Sequence, residues 1–159
     1  MVRAGRAWAL ACAVAGVVIA ADQATKAIVR ASLQPGERDE TLPVLDLVHV
    51  RNDGVAFGAL AGGGTIVALV VAAALGALVA YFAFNAHRPL AWLPTGLLLG
   101  GAVGNVIDRI RLDAVTDFLK LPAWPAFNLA DTAITVGVVL LLIVLERGER
   151  ARHGAPSGA

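Results

Sequence analysis

Residues 65–84 read TIVALVVAAALGALVAYFAF, twenty positions without an Asp, Glu, Lys or Arg among them. An α-helix rises about 1.5 Å per residue, so a stretch of that length covers about 30 Å, the thickness of a bilayer's hydrocarbon core. The stretch does not alternate between apolar and polar positions, as the strands of a membrane barrel would. A helix closes its own backbone hydrogen bonds and can therefore cross lipid. Three further apolar blocks lie outward from it, at about 7–29, 90–110 and 126–144, each reaching spanning length by including a few polar residues. Hydrophobic residues form 58% of the 159-residue chain and charged residues 16%. Soluble domains sit nearer about 45–50% and 25%, so both departures favour lipid as the solvent. The expectation is an all-α membrane protein with four transmembrane helices, residues 1–150 forming one integral domain.

Charges near the block ends set the orientation. Arg3 and Arg6 precede the first block, His87 and Arg88 lie between the second and third, and Arg147, Arg150 and Arg152 follow the fourth. In a four-span chain these places share one side, so both termini are expected in the cytoplasm, with residues 151–159 a disordered tail. Residues 31–64 form the sizeable outer segment. There Thr41 to Arg51, rich in Leu and Val and bounded by Pro35-Gly36 and Asn52-Asp53-Gly54, reads as short strands joined by turns. A small extracytoplasmic β-containing subdomain is thus expected between helices one and two. Arg3 and Arg6 before an apolar run also resemble a signal peptide, but three more blocks follow.

Several functions lose support at this stage. Basic residues are not interleaved with aromatic platforms, which argues against nucleic-acid binding. Gly62-Gly63-Gly64 lacks the Lys and Ser/Thr of a phosphate loop. His49, His87 and His153 are scattered, and Cys12 is a lone thiol within the first block, so no metal site is expected.

Polar residues gather instead at the outward ends of the blocks. Ionisable groups at membrane depth are expensive and mark a paired contact or a site. Asp22 and Lys26 are one helical turn apart and read as an ion pair. Asn105 and Asp108 share the end of the third block, where Arg109 is placed to pair with Asp108. Asn128 and Asp131 open the fourth block, and Asp117 lies in the connection before it. Two carboxylates facing one another from different elements, Asp117 and Asp131, suit peptide hydrolysis, one taking a proton from water while the other polarises the carbonyl. A channel vestibule or a transporter gate also gathers acids at one end. Both readings stand on spacing alone.

The motifs Asp22-Gln23-Ala24-Thr25-Lys26, Asn52-Asp53-Gly54-Val55-Ala56-Phe57-Gly58, Gly100-Gly101-Ala102-Val103-Gly104-Asn105-Val106-Ile107-Asp108-Arg109, Val115-Thr116-Asp117-Phe118 and Phe127-Asn128-Leu129-Ala130-Asp131 occur in this order. Together they resemble bacterial lipoprotein signal peptidase, signal peptidase II, over nearly the whole chain. The resemblance implies an intramembrane aspartyl endopeptidase that removes the signal peptide of a prolipoprotein just before a diacylglyceryl-modified cysteine. It implies Asp117 and Asp131 as catalytic residues, with Asp22, Lys26, Asn52, Gly54, Asn105, Asp108, Arg109 and Asn128 as the supporting or substrate-binding shell. No cofactor or metal is implied, and no obligate protein partner. Its partners would be diacylglyceryl-modified prolipoproteins and membrane lipids, and its place the bacterial inner membrane, with the active site near the extracytoplasmic surface. The non-enzymatic alternative is a small channel or lipid-binding protein with a polar outer vestibule.

Overall fold

Four helices and a three-stranded sheet make up the computed structural model, which describes residues 4–39, 44–53 and 64–153. In chain order these are α1 (Ala4–Ser32), β1 (Arg38–Asp39), β2 (Asp46–Asn52), α2 (Gly64–Asn85), α3 (Trp92–Leu112), β3 (Val115–Lys120) and α4 (Leu129–His153). Among the described residues, α1 and the Leu129–Gly148 part of α4 are long and apolar enough to cross a membrane, and Ala73–Asn85 forms a shorter apolar stretch. The last turns of α3 carry Asn105, Asp108, Arg109 and Arg111, which dilutes its apolar character.

The helices pack through small residues. α3 lies along both α1 and α4, and α2 meets α3. A Cβ on Gly100 would fall 2.7 Å from the Val18 Cβ of α1, and one on Gly101 would fall 2.5 Å from the Ala130 carbonyl oxygen of α4. The two glycines therefore let α3 approach a helix on either side. This is the expected means of helix association where lipid removes the hydrophobic drive. Toward the other end of the bundle, Ala7, Ala11, Phe82, Ala86 and Ala91 form a buried cluster with Trp8, Trp92 and Val144 against it. The ring of Trp8 meets that of Phe82 edge to face at 4.7 Å.

The sheet corrects the expectation in one respect. Its order is β1-β2-β3, all antiparallel, so its third strand comes from the α3–α4 connection and not from the segment between α1 and α2. Asp117 consequently stands on a strand. Between Leu47 and Val50 the register with β3 shifts by one residue. At this bulge Val48 and His49, consecutive on β2, are both buried, as expected where the alternation of a strand is broken. The remaining differences are at element ends. α3 starts at Trp92 after Leu90 and α4 at Leu129 after Ala126, because Leu90 takes a left-handed φ of 64° and Phe127 pairs with Leu119. α4 runs on to His153, into the stretch expected to be a disordered tail, while 154–159 lie outside the described residues.

Candidate active site

The site is built from the ends of five elements that the antiparallel order brings together. α3 ends at Asp113, whose left-handed φ of 56° turns the chain while its N–H bonds the Arg109 carbonyl. β3 follows at once and pairs with β2. The chain then turns back, and Phe127 bonds Leu119 through both N–H and carbonyl, at 2.9 and 2.8 Å. That return sets Asn128 beside Asp117, just ahead of α4.

Asn128 opens α4 with a reciprocal cap. Its Oδ1 accepts the Asp131 N–H at 2.9 Å, and its own N–H donates to Asp131 Oδ2 at 3.3 Å. Residues that cap a helix satisfy backbone donors its first turn leaves open. Here the cap has a further consequence, because the Asn128 amide nitrogen donates to Asp117 Oδ1 at 2.8 Å. One fully buried asparagine thus holds both candidate carboxylates, Asp131 by its backbone and Asp117 by its side chain. Asn52, at the end of β2, donates to Asp117 Oδ2 at 2.9 Å. Val50 is the Cα partner of Asp117, so Asn52 is the diagonal neighbour two residues on, on the same face of the sheet.

A buried cation organises the far wall. Lys26 is wholly buried, and its ammonium reaches three acceptors: Asp22 Oδ2 at 2.9 Å, Asp108 Oδ2 at 3.2 Å and Asn105 Oδ1 at 2.9 Å. An ammonium has three donors and accepts nothing, so this set satisfies it and fixes how the Asn105 amide faces. The Asn105 nitrogen then points away, to Asp131 Oδ1 at 2.8 Å. The Asn128 amide also donates to Asn105 Oδ1, at 3.1 Å. A directed chain therefore runs from Lys26 through Asn105 to Asp131.

The two acids on Lys26 do more than balance its charge. Asp22 Oδ1 accepts the Ala130 N–H at 2.9 Å, tying α1 to the first turn of α4, where a negative charge is favoured by the helix dipole. Asp108 Oδ2 accepts the Thr116 N–H at 3.1 Å, one residue before Asp117. Gln23 donates to Asp108 Oδ1 at 3.0 Å and to the Gly104 carbonyl at 3.1 Å. Nothing in the spacing of Gln23 and Thr116 signals these contacts, which arise only where α1, α3 and β3 pack together. The expected Asp108–Arg109 pair is corrected: Asp108 turns to Lys26, while Arg109 bonds the Asn105 carbonyl at 3.4 Å. Gly54, in the expected shell, lies outside the described residues, as does Phe57.

Two cavities adjoin this network. An open cleft of about 320 Å³ borders the buried Asp117, with Asn52, Asp53, Pro125 and Ala126 around it. An apolar groove of about 640 Å³ runs between α2, α3 and α4, with Asn105 and Arg109 at its polar end and Leu78, Leu98 and Leu141 along it. The electrostatics favour a retained proton at the cleft. Burial pushes the Asp117 carboxyl above its ordinary value, and the nearby Asp131 charge adds to that, against the lowering by Asn52, Asn128 and Lys26. Among the described residues no three His, Cys, Asp or Glu side chains are grouped so as to hold a metal ion. The arrangement is one of two amide-held carboxylates, with Asn105 linking Asp131 to the polar end of the apolar groove.

Known proteins resemble this chain over most of its length. A family model described as signal peptidase (SPase) II matches residues 14–146. The lipoprotein signal peptidase of Moorella thermoacetica is 44% identical over 144 residues, covering 86% of this chain and 94% of that protein. The lipoprotein signal peptidase of Dehalococcoides mccartyi strain BAV1 is 41% identical over 133 residues, covering 79% of this chain and 82% of that protein. Among solved structures, a bacterial membrane enzyme determined in meso at 1.9 Å superposes with a TM-score of 0.79 at 34% identity, over 85% of this chain and 91% of that one. A second, determined in meso at 2.3 Å, gives 0.81 at 31% identity over 94% and 93%.

Proposed function

The chain belongs to the signal peptidase II family, peptidases that remove signal peptides from prolipoproteins, and we propose that it does so as an aspartyl endopeptidase acting through Asp117 and Asp131. The observation that carries this reading is the Asn128 bridge, which holds the two carboxylates from different elements as one unit. Asp117 keeps the shared proton and polarises the scissile carbonyl. Asp131 takes a proton from water, whose oxygen attacks the carbonyl carbon. Collapse of the tetrahedral intermediate breaks the C–N bond, and the departing amine takes up a proton from the pair. The products are a signal peptide with a free carboxylate and a lipoprotein with a free amino group on its cysteine.

The supporting roles follow from the hydrogen bonds. Asn52 and Asn128 orient Asp117, while Asn105 orients Asp131. Lys26, Asp22 and Asp108 lock α1, α3 and the start of α4 together behind them. Arg109 lines the polar end of the groove beside Asn105 and is assigned to substrate backbone oxygens. Gly54 is assigned to the same outer shell. The groove takes the apolar segment of the substrate, so the scissile bond reaches the acids from the lipid side.

All four helices are assigned as membrane spans, with Arg3, Arg6, Arg88 and Arg147 on the cytoplasmic side and the carboxylates near the outer surface of the inner membrane. Cleavage is assigned to the bond just before the diacylglyceryl-cysteine. The lipid anchors that bond at the depth of the acids, and so acts mainly by positioning. A lipidated precursor and its unlipidated twin, at equal membrane concentration, test this. The lipidated form should be cleaved, with mass spectrometry placing the new N-terminus at the cysteine. Equal cleavage of both, or a different new N-terminus, would contradict the assignment.

A further inference from the structure

At the end of the bundle away from the carboxylates, a pocket of about 430 Å³ opens between the α2–α3 turn and the last turns of α4. Its lining holds three basic side chains, His87, Arg88 and Arg147, with Pro89, Leu90, Val144 and Gly148, and no acid among the described residues. None of the steps assigned to the peptidase uses it.

The pocket is more than a set of basic residues on one side of a membrane. Arg88 is only partly exposed and lies against α4 where Gly148 has no side chain, so that a Cβ there would come 2.8 Å from Arg88 Nη1. α4 thus leaves room there for the end of the guanidinium. No ion pair to Arg88 or Arg147 occurs among the described residues. The turn that presents Arg88 is closed by the Arg88 N–H on the Asn85 carbonyl at 2.9 Å and by the Ala91 N–H on the Arg88 carbonyl at 3.4 Å. Below it, Val144 packs on the buried cluster of Ala86, Ala91 and Phe82, which makes the floor apolar and firm. Leu90, half exposed beside the basic groups, adds an apolar wall.

Like charges around one concavity repel unless an anion shares it. A planar guanidinium suits a phosphate through paired N–H donors. Apolar walls beside the cations suit the glycerol and upper acyl carbons attached to that phosphate. We propose that this pocket binds the phosphate of an anionic phospholipid headgroup, with Arg88 as the seated ligand and Arg147 and His87 closing around it. Basic pockets between helices at a membrane surface serve such headgroups generally. The site requires that the bundle sit in a bilayer and is independent of the aspartyl chemistry.

The test uses the full-length protein in detergent micelles, with native mass spectrometry counting retained lipid. Phosphatidylglycerol should be retained as one tightly held molecule per chain in preference to phosphatidylcholine, and inorganic phosphate alone should not displace it at matched concentration. Arg147→Gln, at an exposed position that leaves packing alone, should weaken retention by about five-fold, as should Arg88→Gln. Gly148→Ala, which pushes the Arg88 guanidinium from its seat, should weaken it while both arginines remain. Equal retention of phosphatidylglycerol and phosphatidylcholine would overturn the proposal, as would wild-type retention in both arginine variants. Displacement by inorganic phosphate alone would show a free-phosphate site and overturn the lipid assignment. Melting temperature checks that each variant is folded, and peptide cleavage is not the readout, so loss of one function leaves the other measurable.

Discussion

Asp117 is buried among amides and beside a second acid, and that setting has a consequence for stability as well as for chemistry. Its folded-state value is raised from an ordinary 3.8. The stability this group contributes is therefore complete below that unfolded value and is lost as pH rises through the raised folded one. Wild-type protein should lose melting temperature relative to Asp117→Asn as pH is raised from below 3.8 through the carboxyl's raised folded value. Parallel melting curves for the two proteins across that range would mean that Asp117 ionises without penalty. Lys26 carries the opposite kind of burden. It is the cation between Asp22 and Asp108, and all three side chains are buried. Lys26→Met would leave two carboxylates facing each other without a counter-charge, a change that costs about 3–5 kcal/mol in buried pairs. A marked fall in melting temperature is expected, with partial recovery when Asp22→Asn is added; an unchanged melting temperature would make the triad incidental. Two of the triad's three members are legible in the sequence, because Asp22 and Lys26 share one helix at one-turn spacing. Asp108 as the third member is not, since its nearest charged neighbour in the chain is Arg109 and only packing of α3 on α1 turns it to Lys26.

Elements matter here chiefly by how closely their backbones approach. α3 reaches α4 through Gly101, whose missing Cβ leaves space for the Ala130 carbonyl, one residue before Asp131. That neighbour is backbone, which cannot swing aside as a flexible side chain would. Gly101→Ala should push the first turn of α4 away, lowering both melting temperature and turnover. Gly76→Ala, where nothing lies within 4 Å, should change neither. Matching effects at the two positions would detach the site from the α3–α4 approach. The helices were readable from their apolar blocks, since hydrophobic length is a local property. The third strand was not. Val115–Lys120 is short and lies between two such blocks, so it reads as a connection until β2 pairs with it. A one-residue slip of that pairing would turn Asp117 to the other face and break its bond to Asn52.

For the whole molecule, one bundle carries the carboxylate network and the basic pocket at opposite ends. The carboxylates lie where α3 ends and α4 begins, while the basic pocket lies where α2 and α4 end. Sequence motifs led to the first because its residues fall at the ends of recognisable blocks. They did not show the apolar groove or the basic pocket, which arise from the space left between packed helices and have no local signature. The family fixes the class of reaction, and in the proposed mechanism Asp117 and Asp131 perform the hydrolysis as a pair held by Asn128. Residues acting in one step are not additive, so removing both should cost no more than removing either. The direct test is cleavage of a diacylglyceryl-modified prolipoprotein by purified wild-type, Asp117→Asn, Asp131→Asn and double-variant protein, each with its melting temperature measured. The account expects turnover from wild type alone, with all three variants folded and equally inactive. A folded Asp117→Asn or Asp131→Asn protein that cleaves at near the wild-type rate would contradict it.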